Sequence, residues 1–119
     1  MSDFRLSAAA EDDIVDILRW SHEMFGERAR LAYEALLTTA LHDAARHRDQ
    51  PDIAIRRPEL GDDVYVWHLR RSRDQPPGRP VKRPRHFVVH KIERDAVLIG
   101  RVLHDSMELS RHLDDRAWE

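Results

Sequence analysis

Arg101 and His104 close the most apolar run of this 119-residue chain, the stretch that begins at Val97. Together they could work on a phosphodiester. Arginine would neutralise a developing phosphorane, and histidine, titrating near neutrality, could exchange protons as a general acid or base. Arg85 and Lys91, on the preceding candidate strand, would hold a nucleic-acid backbone. A structural role for the same pair is Arg101 bound to an acid of the first helix or of the C-terminal tail, with His104 capping the strand end.

Eight histidines raise the question of a metal. His86 and His90 share a strand face by parity, and His68 or His104 could approach from neighbouring strands, so a three-histidine site on a sheet is geometrically open. No compact signature such as H-E-x-x-H supports it, and no metal or cofactor is expected. Ser72, Ser106 and Ser110 sit in no G-x-S-x-G elbow, cysteine is absent, and the four glycines are too scattered for a phosphate loop. Trp67 and Phe87 could stack on bases, although large strand residues usually fill cores. Trp20 lies off the apolar stripe of its helix, where it either anchors a partner or covers the sheet edge.

The elements that must position these residues follow from periodicity. "FRLS" is a short strand with Phe4 and Leu6 on one face. Ser7 is a helix N-cap, and Glu11, Asp12, Asp13 and Asp16 crowd the first turns, where the helix dipole favours negative charge. Ala10, Ile14, Ile17, Leu18, Ser21 and Phe25 form one helical face, and Gly26 ends the helix. A second helix runs from about Glu27 to His47, with Ala29, Tyr33, Leu36, Leu37, Ala40, Leu41 and Ala44 on its stripe. Pro51, Pro58 and Gly61 mark a loop. "VYVWHLRR" (64–71), "RHFVVHKIE" (85–93) and "AVLIGRVLH" (96–104) are strands, the last two joined by a turn at 94–95. "SRDQPPGRPVKRP" (72–84) has four prolines and reads as an extended basic hairpin loop. A final short helix spans about 107–113. The expected architecture is α+β: a single domain over residues 1–119, with an N-terminal strand and a helical hairpin on one face of a curved, mainly antiparallel sheet of about four strands. The opposite face would be left for a partner.

Composition sets the remaining bounds. With 41% apolar and 35% charged residues the chain is globular rather than disordered. No run approaches the roughly 18 apolar residues of a membrane span, and no basic-then-apolar leader pattern is present, so no membrane association and a cytoplasmic location are expected. The net charge of −2 conceals an asymmetry: residues 1–50 carry 6 basic and 10 acidic groups, whereas residues 64–94 carry 9 basic and 2 acidic groups. Such a basic middle suits either phosphates or an acidic protein.

The opening "FRLSAAAEDDIVDILRWSHEMFGE", the strand "RPRHFVVHKIE" and above all "VLIGRVLHDSMELSRHL", in this order, resemble the ParE branch of the RelE/ParE toxins of bacterial type II toxin–antitoxin pairs. The resemblance covers essentially the whole chain. It implies a helical hairpin packed on a curved antiparallel sheet, and action by binding and inhibiting DNA gyrase rather than by catalysis. It also implies neutralisation by a cognate antitoxin, through which alone the toxin meets DNA. The RelE branch uses the same fold for ribosome-dependent mRNA cleavage, and in that alternative Arg101 and His104 would be catalytic. The acidic net charge, and a C-terminal segment acidic at Asp105, Glu108, Asp114 and Asp115, weigh against a ribosome-bound nuclease. The long 72–84 loop also departs from the usual family form. On this resemblance Arg85, Arg101, His104, Asp105 and Met107 are the expected target- and antitoxin-binding residues, with the C-terminal ones facing the target.

Overall fold

The computed structural model describes residues 4–48, 50, 55–74, 81–94 and 96–119. Strand β1 (Phe4–Leu6) leads into α1 (Ala8–Phe25), Gly26 and α2 (Glu27–Arg46); β2 (Ile55–Arg56), β3 (Val64–His68), β4 (His86–Ile92) and β5 (Val97–His104) follow. The sheet order is β1-β5-β4-β3-β2, with β1 parallel to β5 and every other pair antiparallel. The α+β class and the helical hairpin agree with the sequence reading. The sheet has five strands rather than about four, because Ile55–Arg56 pairs with β3 inside the segment expected to be loop. The tip of the 72–84 loop and the turn at residue 95 lie outside the described residues.

Ser7 shows why α1 starts where it does. Its Oγ accepts the N–H of Ala10 at 3.0 Å, its hydroxyl donates to the Gly100 carbonyl at 2.7 Å, and its own N–H donates to Ile99. One buried serine therefore caps the helix and fastens it to β5. Gly26 ends α1 and begins α2 at φ 90°, a left-handed backbone that favours glycine. The hairpin then buries Ala10, Leu36, Leu37, Ala40 and Ala44 against Val88, Val97, Ile99 and Val102. Phe25, expected on the buried stripe, is instead 65% exposed. It is the last residue of α1 and lines a cavity with Trp20 instead of entering the core.

The second sheet face is not free, which corrects the expectation that it awaits a partner. Val64, Val66, Val89 and Leu103 point to that side and are covered by Leu109, with Leu60, Phe87, Leu113 and Trp118 packed around them. The expected C-terminal helix is two short 3-10 turns, Leu109–His112 and Asp115–Trp118, folded back over the strands. "VYVWHLRR" likewise leaves the sheet at His68 and turns into a 3-10 segment over 69–72. Trp67 is core rather than a stacking platform, being 3% exposed, and its Nε1–H donates to Ser72, which donates in turn to Asp43.

A β-bulge decides where the end of β5 points. Val89 pairs with Arg101 and His90 with Ile99, leaving Gly100 as the extra residue. Val97 and Ile99 face the helices, and after the bulge it is Val102, not Arg101, that does so. Alternation then puts His104 on the helical side, directly opposite His86 on β4. No helix among the described residues is long and apolar enough to cross a membrane.

Candidate functional site

The C-terminal end of β5 and the entry of β4 bring together three of the five expected site residues. The Arg85 carbonyl accepts the N–H of Asp105 at 2.8 Å, which pins the two chain segments side by side. Asp105 is the hub: Arg85 Nε donates to its Oδ1 at 3.1 Å, and His68 Nε2 donates to its Oδ2 at 3.0 Å. Burial alone would raise the Asp105 carboxyl, but the His68 hydrogen bond and the Arg85 charge outweigh it and hold the group below its usual value. His104 Nδ1 stands 3.7 Å from the same carboxylate.

Arg101 is elsewhere. Its Nε and Nη2 grip Asp13 of α1 at 2.7 and 2.8 Å, and its Nη1 donates to the His112 carbonyl at 3.0 Å. Asp13 also accepts the Val102 N–H at 2.9 Å. β1 runs alongside β5 only as far as Ile99, so past that point a helix carboxylate covers strand backbone that no neighbouring strand reaches. The Asp13 hydrogen bonds hold the guanidinium charged. Arg101 thus joins α1, β5 and the C-terminal tail.

Met107, 44% exposed, lies beyond the turn closed by its own N–H to the His104 carbonyl. It borders a depression of about 380 Å³ with Asp105, Phe87, Glu108, Arg57 and Glu59, the last two forming an ion pair. On the other side of the Arg85–Asp105 pair a larger cavity, about 630 Å³, opens between the helical hairpin and the start of β4, lined by His86 and His104. Asp105 and Arg85 therefore stand between two concave surfaces.

Sequence reasoning missed Tyr33, which it placed on the core stripe. The Arg85 N–H donates to the Tyr33 hydroxyl at 3.2 Å, and that hydroxyl lies 2.6 Å from His86 Nδ1. Burial pushes Tyr33 up to about 12 and, with the nearby His104, pushes His86 down to about 4, so at neutral pH a neutral phenol meets a neutral imidazole. A tyrosine in a helical stripe followed by a strand beginning "RH" carries no such signal by itself. The three proposed metal-site histidines do not converge. His68 is spent on Asp105, His86 on Tyr33, and His90 is buried beside Tyr65 with a ring separation of 5.9 Å. Among the described residues no cluster of three or more His, Asp or Glu side chains could hold a metal ion.

The chain is thus an α+β fold, a helical hairpin on a five-stranded sheet, with a knot of ion pairs between two concave surfaces. A family model described as the ParE toxin of type II toxin–antitoxin systems matches residues 4–109, and the chain belongs to that family. It is accordingly a toxin of the type II class, whose systems pair toxin with antitoxin. No curated protein matched the chain significantly.

Proposed function

We propose that the protein, acting as one domain in the cytoplasm, inhibits DNA gyrase by direct binding and is neutralised by a cognate antitoxin through which alone it meets DNA. The observation that carries this reading is the fate of Arg101. In a ribonuclease it would have to face a phosphorane. Here both sides of its guanidinium are held by Asp13 and the His112 carbonyl, and no free cation remains at that position. Exposed apolar residues on the hairpin, Val15, Trp20, Met24, Phe25 and Leu31, supply a surface that an antitoxin would cover. Arg85, His104, Asp105 and Met107 form the remaining binding surface, with Met107 and the C-terminal turn facing the target, and Arg101 holding that turn in place.

The test is a supercoiling assay with purified gyrase, with and without the antitoxin. Loss of supercoiling, or trapped cleaved DNA, that the antitoxin reverses is the expected result. Full gyrase activity at large molar excess of folded protein removes gyrase as the target. Messenger RNA cleavage in a translating extract, abolished by His104→Ala, would replace the reading with the RelE-like one.

A further inference from the structure

The 630 Å³ cavity between the hairpin and β4 has an unusual lining for an acidic protein. Among the described residues its ionisable groups are Arg28, Lys82, Arg83, Arg85, His86, His104 and Tyr33, and no carboxylate of theirs lines it. Arg28, Lys82 and Arg83 make no ion pair among the described residues, whereas most other arginines of the fold do. Three unneutralised cations around one cavity attract an anion.

The two histidines reinforce this polarity. The Ser106 N–H donates to His104 Nδ1 at 3.1 Å, and the Tyr33 hydroxyl lies 2.6 Å from His86 Nδ1. With Nδ1 of each ring turned to these partners, Nε2 is the ring nitrogen left to meet a ligand. The rings stand 5.2 Å apart, edge to face. The hairpin side of the lining is mostly apolar and aromatic: Trp20 is 55% exposed and meets Phe25 edge-on at 5.5 Å, and Ile17, Ala29 and Ala32 line the cavity with them.

From these juxtaposed walls we infer that the cavity binds a nucleotide, its base against Trp20 and its phosphate among Lys82, Arg83, Arg85 and the His86–His104 pair. Aromatic faces accept any base, and cations with imidazole donors accept phosphate oxygens. The cavity's size is that of a small-ligand site. An antitoxin segment covering Trp20 and Phe25 would close the cavity's apolar wall, so a nucleotide and the antitoxin would compete for it. The nucleotide is either free or the phosphorylated end of a single strand. This inference goes beyond the gyrase reading and does not depend on it.

Calorimetric titration of the whole protein tests it with adenosine 5′-monophosphate, adenosine, inorganic phosphate, and a 5′-phosphorylated single-stranded oligonucleotide. A saturable isotherm for the monophosphate is expected, with adenosine and phosphate alone each weaker by about tenfold or more. Trp20→Ala and the double variant Lys82→Ala/Arg83→Ala change exposed side chains and should each weaken binding by about tenfold or more, the second through loss of salt dependence. Tighter binding of the oligonucleotide identifies a strand end as the source; equal or weaker binding identifies the free nucleotide. Absence of binding by both phosphorylated probes at about millimolar concentration overturns the proposal. So does binding that both variants leave unchanged, or a Leu/Glu amphipathic helical peptide that binds through Trp20 and is not displaced by the monophosphate, which would make the cavity a protein-docking groove.

Discussion

Acidification from pH 7 to pH 4 should destabilise this protein, with His90 supplying about half of the loss. The ring is fully buried in β4, and among the described residues neither nitrogen has a hydrogen-bond partner. Burial pushes its pKa from 6.5 to about 4. In the unfolded chain the imidazole takes a proton near pH 6.5, whereas in the fold it resists until about pH 4. Between those values the unfolded state binds more protons, so stability falls as pH falls, and the loss levels out below about 4. The difference corresponds to roughly 3 kcal/mol at 1.36 kcal/mol per pH unit, a large share of the 5–15 kcal/mol typical of a domain. His86, pushed to about 4 by burial and by His104, adds to the loss in the same window. The assay is urea unfolding between pH 7 and pH 4, where the His90 contribution alone should lower the midpoint by about 1–3 M. His90→Leu keeps an apolar side chain of similar bulk and removes the titration. It should sit within about 1 kcal/mol of wild type at pH 7 and lose roughly half of the acid slope. Parallel pH profiles for wild type and His90→Leu would refute the reasoning.

Three further outcomes follow from named contacts. Asp13→Ala strips Arg101 and the Val102 N–H of their shared acceptor and should cost about 2–4 kcal/mol, read as a lowered thermal midpoint; Asp13→Asn, which can still accept from Val102, should cost less. Gly100→Ala would place a methyl 2.5 Å from the Trp118 ring and 2.9 Å from the Ala117 carbonyl, so it should push the last turn off the sheet; hydrogen exchange at 115–118 should quicken and stability fall by about 1–3 kcal/mol. Met107→Asp, at an exposed position, should leave the melting temperature within about 2 °C of wild type and weaken gyrase inhibition by about 1–2 kcal/mol, measured as a shift in the half-inhibitory concentration.

The helical hairpin was legible because local rules govern it. Ser7, the acidic first turn, Gly26 and two stripes of apolar residues at helical spacing each act within a few residues of one another, and the helices end where those signals put them. Strand β3 was plain from alternation, although it ends at His68 and not at Arg71, and β4 and β5 from their apolar runs. The short β2 was not, since two exposed residues carry no periodicity and exist as a strand only by leaning on β3. Nor was the folding of the C-terminal turns over the second sheet face: Leu109, Leu113 and Trp118 are too few to announce which surface they cover.

The site divides along the same line. Sequence alone determined the residue types at hand, the basic middle of the chain, the order of elements that marks the family, and the closeness of Arg101, His104, Asp105 and Met107 along one segment. Tertiary structure decided what each of them does. Asp13, distant in sequence, claims Arg101, and His68 and Arg85 converge on Asp105. The extra residue at Gly100 reverses the alternation of β5, so that His104 meets His86 and Tyr33 at the cavity instead of lying on the far face. A strand's period of two fixes faces only relative to its own neighbours, and one bulge, set by pairing with another strand, exchanges them all.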